Sequence, residues 1–561
     1  MKILVFVKQI PDVNDIKFDE NTKRIIRSGV KLMINSFDKK AVEEAVRLKE
    51  KYNYETYVAT MGPPQAADVL KDSMKMGIDH GILISDKNFG GSDTYITSKI
   101  LSEVVRIIKP DLVLTGKYSL DGETSQVPPE IAYLSKYNFK SSISGIEINN
   151  NAVITRDEDN GINTMEIELP AVLSVSEKIN RARSVPDVPL KEDIKIYDSS
   201  TIQNINGRDS PTEVIDTYGM DSYRKNEIID FNKFLDIMGS VKNISAKINS
   251  YKKLYDYDSD EIFLGLAIDD SVTARQIASK IAEINGKKMK IVIIGNVEPE
   301  DLDGMACHEY IYLKNSDNLY ISEYVINYIK NNGVKHILCP SNLNGRDISS
   351  YIAASLGLGL TADCVDVSIE DDKMIQHKPS FGGGIIAVIR SKTSPDIATV
   401  RKGMFKIKYE SYDYFVNIMN ATKMEKVRHI SYENIDSRFN KLNTNIIFGI
   451  GTGIKRDHVN RLIEIADKMH ASIGATRKIV DMHLIPRQFQ IGLTGVSISP
   501  ELYIAIGISG ADNHIVGTRY PEKIIAVNND REANIFRHSD YGLIMDSSEF
   551  IDKLYNYVNK I

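Results

Sequence analysis

Residues 502–511, Leu-Tyr-Ile-Ala-Ile-Gly-Ile-Ser-Gly-Ala, set an apolar run ahead of Gly507, Ser509 and Gly510. The run suits a parallel strand buried on both faces, and the small residues after it let a ligand approach the backbone. A short helix expected from Ala511 offers N–H groups without intrahelical acceptors and a positive dipole end, which favour phosphate. A tight strand-to-helix turn with no ligand has the same sequence. Two further strand patterns end in Asn528-Asn529-Asp530 and in Asp546, bringing polar acceptors to the same sheet edge. That convergence favours a nucleotide site.

Other loops are weaker signals. Gly449-Ile-Gly-Thr-Gly453 lacks a full GxGxxG fingerprint, since Arg456 stands three after Gly453 and no acid ends the next strand pattern. Gly474-Ala-Thr-Arg477 and Gln490-Ile-Gly-Leu-Thr-Gly495 suit structural turns equally well. His514 lies one helical turn past the candidate phosphate loop. No general acid–base pair is evident, so the region reads as a binding site rather than a hydrolase. Cys307, Cys339 and Cys364 are far apart, with no CxxC pair, and the histidines show no HExxH spacing. Redox chemistry would have to come from a bound cofactor.

Strands and helices must present these loops. Residues 2–8 form an apolar run, Asp38 is placed to cap a helix with Ala41, Val42, Ala45 and Leu48 on one face, and residues 56–61 form the next strand. The alternation continues through residues 81–85, 94–108 and 112–115, the pattern of a doubly wound α/β domain. Short strands over 144–175 read as a hairpin-like appendage, and the polar stretch 178–256 as an arm with one helix near 228–238. A second α/β pattern starts at Glu261. Residues 112–124 and 337–347 are each a strand followed by a polar, glycine-containing loop, so the two halves look like divergent copies. A third α/β pattern begins at Ile446.

At 561 residues the chain is too long for one core. The expected divisions are 1–185, 186–258 (arm and linker), 259–430 and 440–561. Apolar content of 42% and charged content of 26% fit a globular protein, and a net charge of -6 gives no general attraction to nucleic acid or anionic membrane. No apolar run reaches the ~20 residues of a membrane span, and residues 1–7 read as a strand rather than a signal peptide. A cytoplasmic location is expected.

Residues 500–514, 524–530, 533–536 and 540–542, with the loops 474–477 and 490–495, resemble the C-terminal signature of electron-transfer flavoprotein α subunits. Gly345-Arg-Asp347, Leu360-Thr-Ala-Asp363, Phe381-Gly-Gly-Gly384 and Thr399-Val-Arg401 are α-like as well. The first half is similar to β subunits at 7–8, 35–38, 41–50, 76–79, 116–127 and 166–175. The resemblance implies a β-like half fused ahead of an α-like half: an α/β protein with two related doubly wound nucleotide-binding-type domains and a C-terminal α/β FAD-binding domain.

Carried over by position, Thr476, Arg477, Ile491, Gly492, Leu493 and Thr494 would surround the flavin ring, Arg477 over it and Thr494 at its N5 edge. Ser509, Gly510, Ala511, Asp512, Asn513 and His514 would wrap the pyrophosphate, with His514 near the pyrimidine side. Asn528 and Asp546 would hold the adenosine end. A second nucleotide, AMP or a second FAD, would contact Phe6, Asn35, Ser36, Phe37, Asp38 and Met61. It would also contact the loop Gly116, Asp121, Gly122, Glu123, Thr124, Ser125, Gln126 and Val127. AMP is favoured, because Pro128 removes a donor and Phe6 is bulky. Thr452 stands where the family usually has arginine, Asn513 where it has glutamine, and the partner-recognition loop after residues 180–183 is shortened.

The implied activity is electron transfer from flavin dehydrogenases of the acyl-CoA dehydrogenase type, as in fatty acid β-oxidation, to a quinone oxidoreductase. An electron-bifurcating NADH-oxidising protein with two FAD is the alternative, and a non-redox nucleotide-binding regulator the third.

Overall fold

A computed structural model describes the chain except residues 13–16, 20–23, 27–29, 159–160, 191–192, 220–223, 248–250, 382–383, 435–441, 443, 493–494 and 561. It divides into two compact units, Met1–Gly219 with Lys252–Phe381 and Ile385–Ile435, and Met220–Tyr251 with Gly382–Gly384 and Asp436–Ile561. Among the described residues, no helix is long and apolar enough to cross a membrane and no histidine, cysteine or acid cluster could hold a metal ion.

The first unit contains the repeat read from the sequence. Its first sheet runs, from one edge, Ile194–Tyr197, His80–Ile84, Glu55–Met61, Lys2–Phe6, Leu112–Gly116, Ala171–Val175, all parallel. The matching sheet of the second half runs Phe415–Asn420, Glu309–Lys314, Met289–Gly295, Ser259–Ala267, Val334–Pro340, Asp396–Val400, also parallel. In both, the first strand in sequence lies inside the sheet and later strands are laid down on either side, which is the doubly wound arrangement. The central strands Lys2–Phe6 and Leu112–Gly116 are buried on both faces after Lys2, as the apolar runs 3–6 and 112–114 require.

Each half also carries antiparallel strands, and these are completed by exchange. Val427–Asn434, from the second half, pairs with Gly161–Ile167 of the first. Thr212–Gly219, from the first half, pairs with Ile385–Ser391 of the second. The alternating burial of Gly161–Ile167 fits a strand with one face packed and one polar.

Two sequence expectations need correction. Asp38 does not cap its helix: Ser36–Tyr52 begins after Asn35, and Asp38 is buried in the first turn, its carboxylate accepting from Lys8 N at 2.8 Å and Gly116 N at 3.1 Å. The stretch 186–258, expected as an arm and linker with one helix near 228–238, contributes elements to both units. It supplies the edge strand Ile194–Tyr197, the exchanged strand Thr212–Gly219, and Glu227–Ile228 with helix Phe231–Lys247 in the second unit.

The second unit is a six-stranded parallel sheet in the order Glu227–Ile228, Tyr541–Ile544, Lys523–Asn528, Leu502–Ile506, Ile446–Ile450, Ser472–Ala475. Phe234 of the added helix is fully buried, its ring 5.0 Å from that of Phe550. Burying a side chain of that size contributes about 1.5–3 kcal/mol, which ties the helix to this core.

Candidate cofactor sites

In the second unit the candidate positions gather at one sheet edge. Thr476 and Arg477 follow Ser472–Ala475, residues 507–514 follow Leu502–Ile506, Asn528 ends Lys523–Asn528, and Asp546 follows Tyr541–Ile544. The strands are parallel, so all of these are carboxyl ends. The strand order reverses between Ile446–Ile450 and Leu502–Ile506, where an open α/β sheet has its crevice.

Glycines let the backbone close up there. Gly510 has φ +86°, and a Cβ on it would lie 2.2 Å from Ile535 N. A Cβ on Gly451 would meet Gly507 O at 2.1 Å, and Gly453 N donates to Gly507 O at 3.0 Å. The 449–453 loop therefore buttresses the 507–510 turn. Ser509, Ala511, Asp512 and Asn513 are exposed on that turn, a cradle of backbone that fits a phosphate. Ile491 N donates to Ala475 O at 2.9 Å, and a Cβ on Gly492 would stand 2.4 Å from Asn513 O. The 490–496 loop thus joins the Arg477 corner to the 513–514 corner. Leu493 and Thr494 lie outside the described residues.

Three side chains have defined states. His514 is buried, and burial lowers its pKa to about 4. Its Nδ1 faces the carbonyl of Ile491 at 3.1 Å and must donate, so Nε2 accepts from the Tyr503 hydroxyl at 2.9 Å. The ring is neutral and both nitrogens are engaged. Asp546 accepts from Ser548 N at 2.8 Å and caps the helix Ser547–Val558, which holds its carboxyl below the usual range. Asn528 Nδ2 donates to Ile508 O at 3.0 Å, tying its strand end to the turn. Arg477 is 68% exposed, with Asp481 at 3.5 Å. Burial pushes the thiols of Cys307, Cys339 and Cys364 up, so none is a ready nucleophile.

The first unit holds the second set at the carboxyl edge between Lys2–Phe6 and Leu112–Gly116, again where strand order reverses. Asn35 Nδ2 donates to Tyr118 O at 2.9 Å, and its Oδ1 accepts from Leu120 N at 3.3 Å. With Asp38 on Gly116 N, these bonds fix the start of the 116–127 loop. Burial raises the Asp38 carboxyl to about 7 against the pull of its N–H donors. Phe37 and Tyr118 rings meet at 4.8 Å, Phe6 is buried and Met61 half-buried. Asp121 takes Lys8 Nζ at 2.7 Å. Glu123 and Ser125 have φ of +51° and +57°, a left-handed course rare for non-glycine residues. Thr124 is half-buried between them, and Val127 opens the helix Val127–Ser135. Gln126 points inward, accepting from Thr94 Oγ1 at 2.7 Å and donating to Leu360 O at 3.1 Å. Thr115 Oγ1 and Arg346 Nε are buried without a hydrogen-bond partner among the described residues, which fits a polar ligand at this edge.

Two side chains from the second half are polar neighbours of this loop: Arg346, already noted in the α-like Gly345-Arg-Asp347, and Lys378, which nothing in the sequence singled out because it lies more than two hundred residues from the loop.

A family model described as an electron transfer flavoprotein domain matches residues 22–198 and 272–430, and one described as an electron transfer flavoprotein FAD-binding domain matches 442–519. The electron transfer flavoprotein subunit beta of Thermoanaerobacterium thermosaccharolyticum is 33% identical over 260 residues, covering 45% of this chain and 98% of the relative. The subunit alpha of the same organism is 31% identical over 337 residues, 56% of this chain and 100% of the relative. The caffeyl-CoA reductase-Etf complex subunit CarD of Acetobacterium woodii is 39% identical over 186 residues, 33% of this chain and 71% of that subunit. The chain belongs to the electron transfer flavoprotein family, with β-like and α-like parts and an FAD-binding domain in one polypeptide.

Proposed function

We propose that this protein is a one-chain electron carrier that receives electrons from flavin dehydrogenases of the acyl-CoA dehydrogenase type and delivers them to a quinone oxidoreductase. Bound FAD supplies the redox chemistry and gains negative charge on reduction. The observation that carries this reading is Arg477, an exposed guanidinium at the carboxyl edge whose nearest carboxylate is 3.5 Å away. A guanidinium presents a planar, delocalised positive charge. At ~4 Å and an effective dielectric of ~20 a unit charge pair is worth on the order of 4 kcal/mol, less where solvent screens it. Neutral His514, its ring nitrogens bonded to Tyr503 and Ile491, adds no second positive charge. The relative named for a caffeyl-CoA reductase complex supports an acyl-CoA oxidoreductase as partner.

For the first unit the reading is AMP. Pro128 and Pro129 remove N–H groups from the first turn of Val127–Ser135, and Gln126 is committed inward, which leaves few donors for a larger ligand. The Asp121-Gly122-Glu123-Thr124 sequence favours a second reading, two FAD in an electron-bifurcating NADH-oxidising protein. Denaturing the purified protein and separating the released nucleotides decides: one FAD and one AMP for the carrier, two FAD for the bifurcator. A preparation that holds no FAD and takes none up refutes both.

A further inference from the structure

The 116–127 loop belongs to the first half of its unit, yet its middle is held by the second half. Lys378 Nζ donates to Gly122 O at 2.6 Å and to Pro379 O at 3.0 Å. Phe381 N donates to Asp121 O at 3.3 Å, and Leu360 O accepts from Gln126 at 3.1 Å. Between these anchors Glu123 and Ser125 take their left-handed turns.

Lys378 is an unusual anchor for carbonyls alone. It is 5% exposed, and among the described residues it has no carboxylate within ion-pair distance. The nearby Asp363 is already engaged by Arg346, Arg401 and Ser341. A buried ammonium with only neutral acceptors is costly, and burial lowers its pKa despite the charges of Glu123 and Asp363. A neutral donor could hold Gly122 O at less cost. Arg346, whose buried Nε has no hydrogen-bond partner among the described residues, adds positive charge beside Tyr118 of the same loop. An anion on the loop would relieve both groups.

We propose that Lys378 determines specificity at the second nucleotide site, its positive charge making binding there depend on a phosphoryl group. The inference rests on the reading that a nucleotide occupies the 116–127 loop. It makes that site joint property of both halves, selective for nucleotides over nucleosides.

The test uses the full chain with FAD bound. Lys378→Gln keeps a donor for Gly122 O but removes the charge, Lys378→Arg keeps the charge, and Lys378→Met removes both. Nucleotides released on denaturation are counted per chain, and AMP and adenosine are titrated calorimetrically into protein stripped of its second nucleotide. Loss of one charge-assisted contact should weaken AMP binding by about tenfold or more in Lys378→Gln and Lys378→Met, with Lys378→Arg close to the parent. The parent should prefer AMP to adenosine by a similar factor, and FAD content should stay at the parent's level in every variant. Equal AMP affinity in parent and Lys378→Gln overturns the proposal. A parent that binds adenosine as well as AMP overturns it too. A parent that carries no second nucleotide and binds neither AMP nor FAD there removes the underlying reading itself.

Discussion

Glu130 should make the first unit lose stability as pH rises, the opposite of a paired surface carboxylate. It lies one helical turn after the nucleotide loop, 1% exposed, accepting from Ser98 Oγ at 2.7 Å and weakly from Thr94 at 3.5 Å. Burial dominates and raises its pKa from 4.5 to about 8, with Asp93 adding to the rise and the two hydroxyls opposing it. The folded state therefore holds this proton more tightly than the unfolded state. Its contribution is complete below pH 4.5 and is lost as pH climbs through about 8. At 1.36 kcal/mol per pH unit that interval is worth up to about 5 kcal/mol. Glu130→Gln removes the titration while its amide oxygen still accepts from Ser98. The variant should match the parent within about 1 kcal/mol at pH 5 and exceed it by several by pH 9. Urea unfolding followed by far-ultraviolet circular dichroism at pH 5, 7 and 9 reads the difference. A gap between variant and parent that stays constant across that range refutes the argument that burial governs this carboxyl.

Two more expectations concern the FAD-binding unit. Gly510→Ala puts a Cβ 2.2 Å from Ile535 N at a φ of +86°, so the 507–512 turn must move. FAD content should fall by about tenfold or more, from strain of roughly 1–2 kcal/mol plus the clash, while the second nucleotide is retained; yellow protein with full FAD would count against the cradle. Arg477→Gln should lower the flavin reduction potential by roughly 40–170 mV, the equivalent of about 1–4 kcal/mol for one charge at a screened site; spectroelectrochemical titration with no change would remove Arg477 from the flavin's surroundings.

Much of the architecture was legible because it rests on local patterns. Residues 3–6, 112–114 and 502–506 are apolar runs, and each lies in a strand buried on both faces. The repeat of strand, polar loop and helix gave the two related domains. What escaped was tertiary in origin. An aspartate ahead of an apolar-periodic helix reads as a cap, but Asp38 spends its oxygens on two strand ends that the sequence places 30 and 78 residues away. The stretch 186–258 looked like an arm because its strands lie at sheet edges with exposed faces, as the pattern of Thr212–Gly219 shows. Lys378 was invisible for the same reason: its meaning depends on a loop more than two hundred residues earlier.

The two halves of the repeat furnish the carboxyl edges of their sheets differently. In the second half, the crevice between Ser259–Ala267 and Val334–Pro340 is at the same edge as its counterpart in the first. There Asp269 accepts from Asn344 Nδ2 at 2.7 Å and Asn296 Nδ2 at 2.8 Å, and its own N–H donates to Asn296 Oδ1 at 2.9 Å. Asn342 Nδ2 donates to Ile268 O at 2.7 Å. Side chains thus bond the loops at these strand ends to one another. In the first half the equivalent positions are Phe6, Met61 and the 116–127 loop, where Thr115 Oγ1 has no hydrogen-bond partner among the described residues and Glu123 and Ser125 take left-handed turns. The second half contributes Leu360, Lys378 and Phe381 to the 116–127 loop of the first, so the course of that loop is set by both halves.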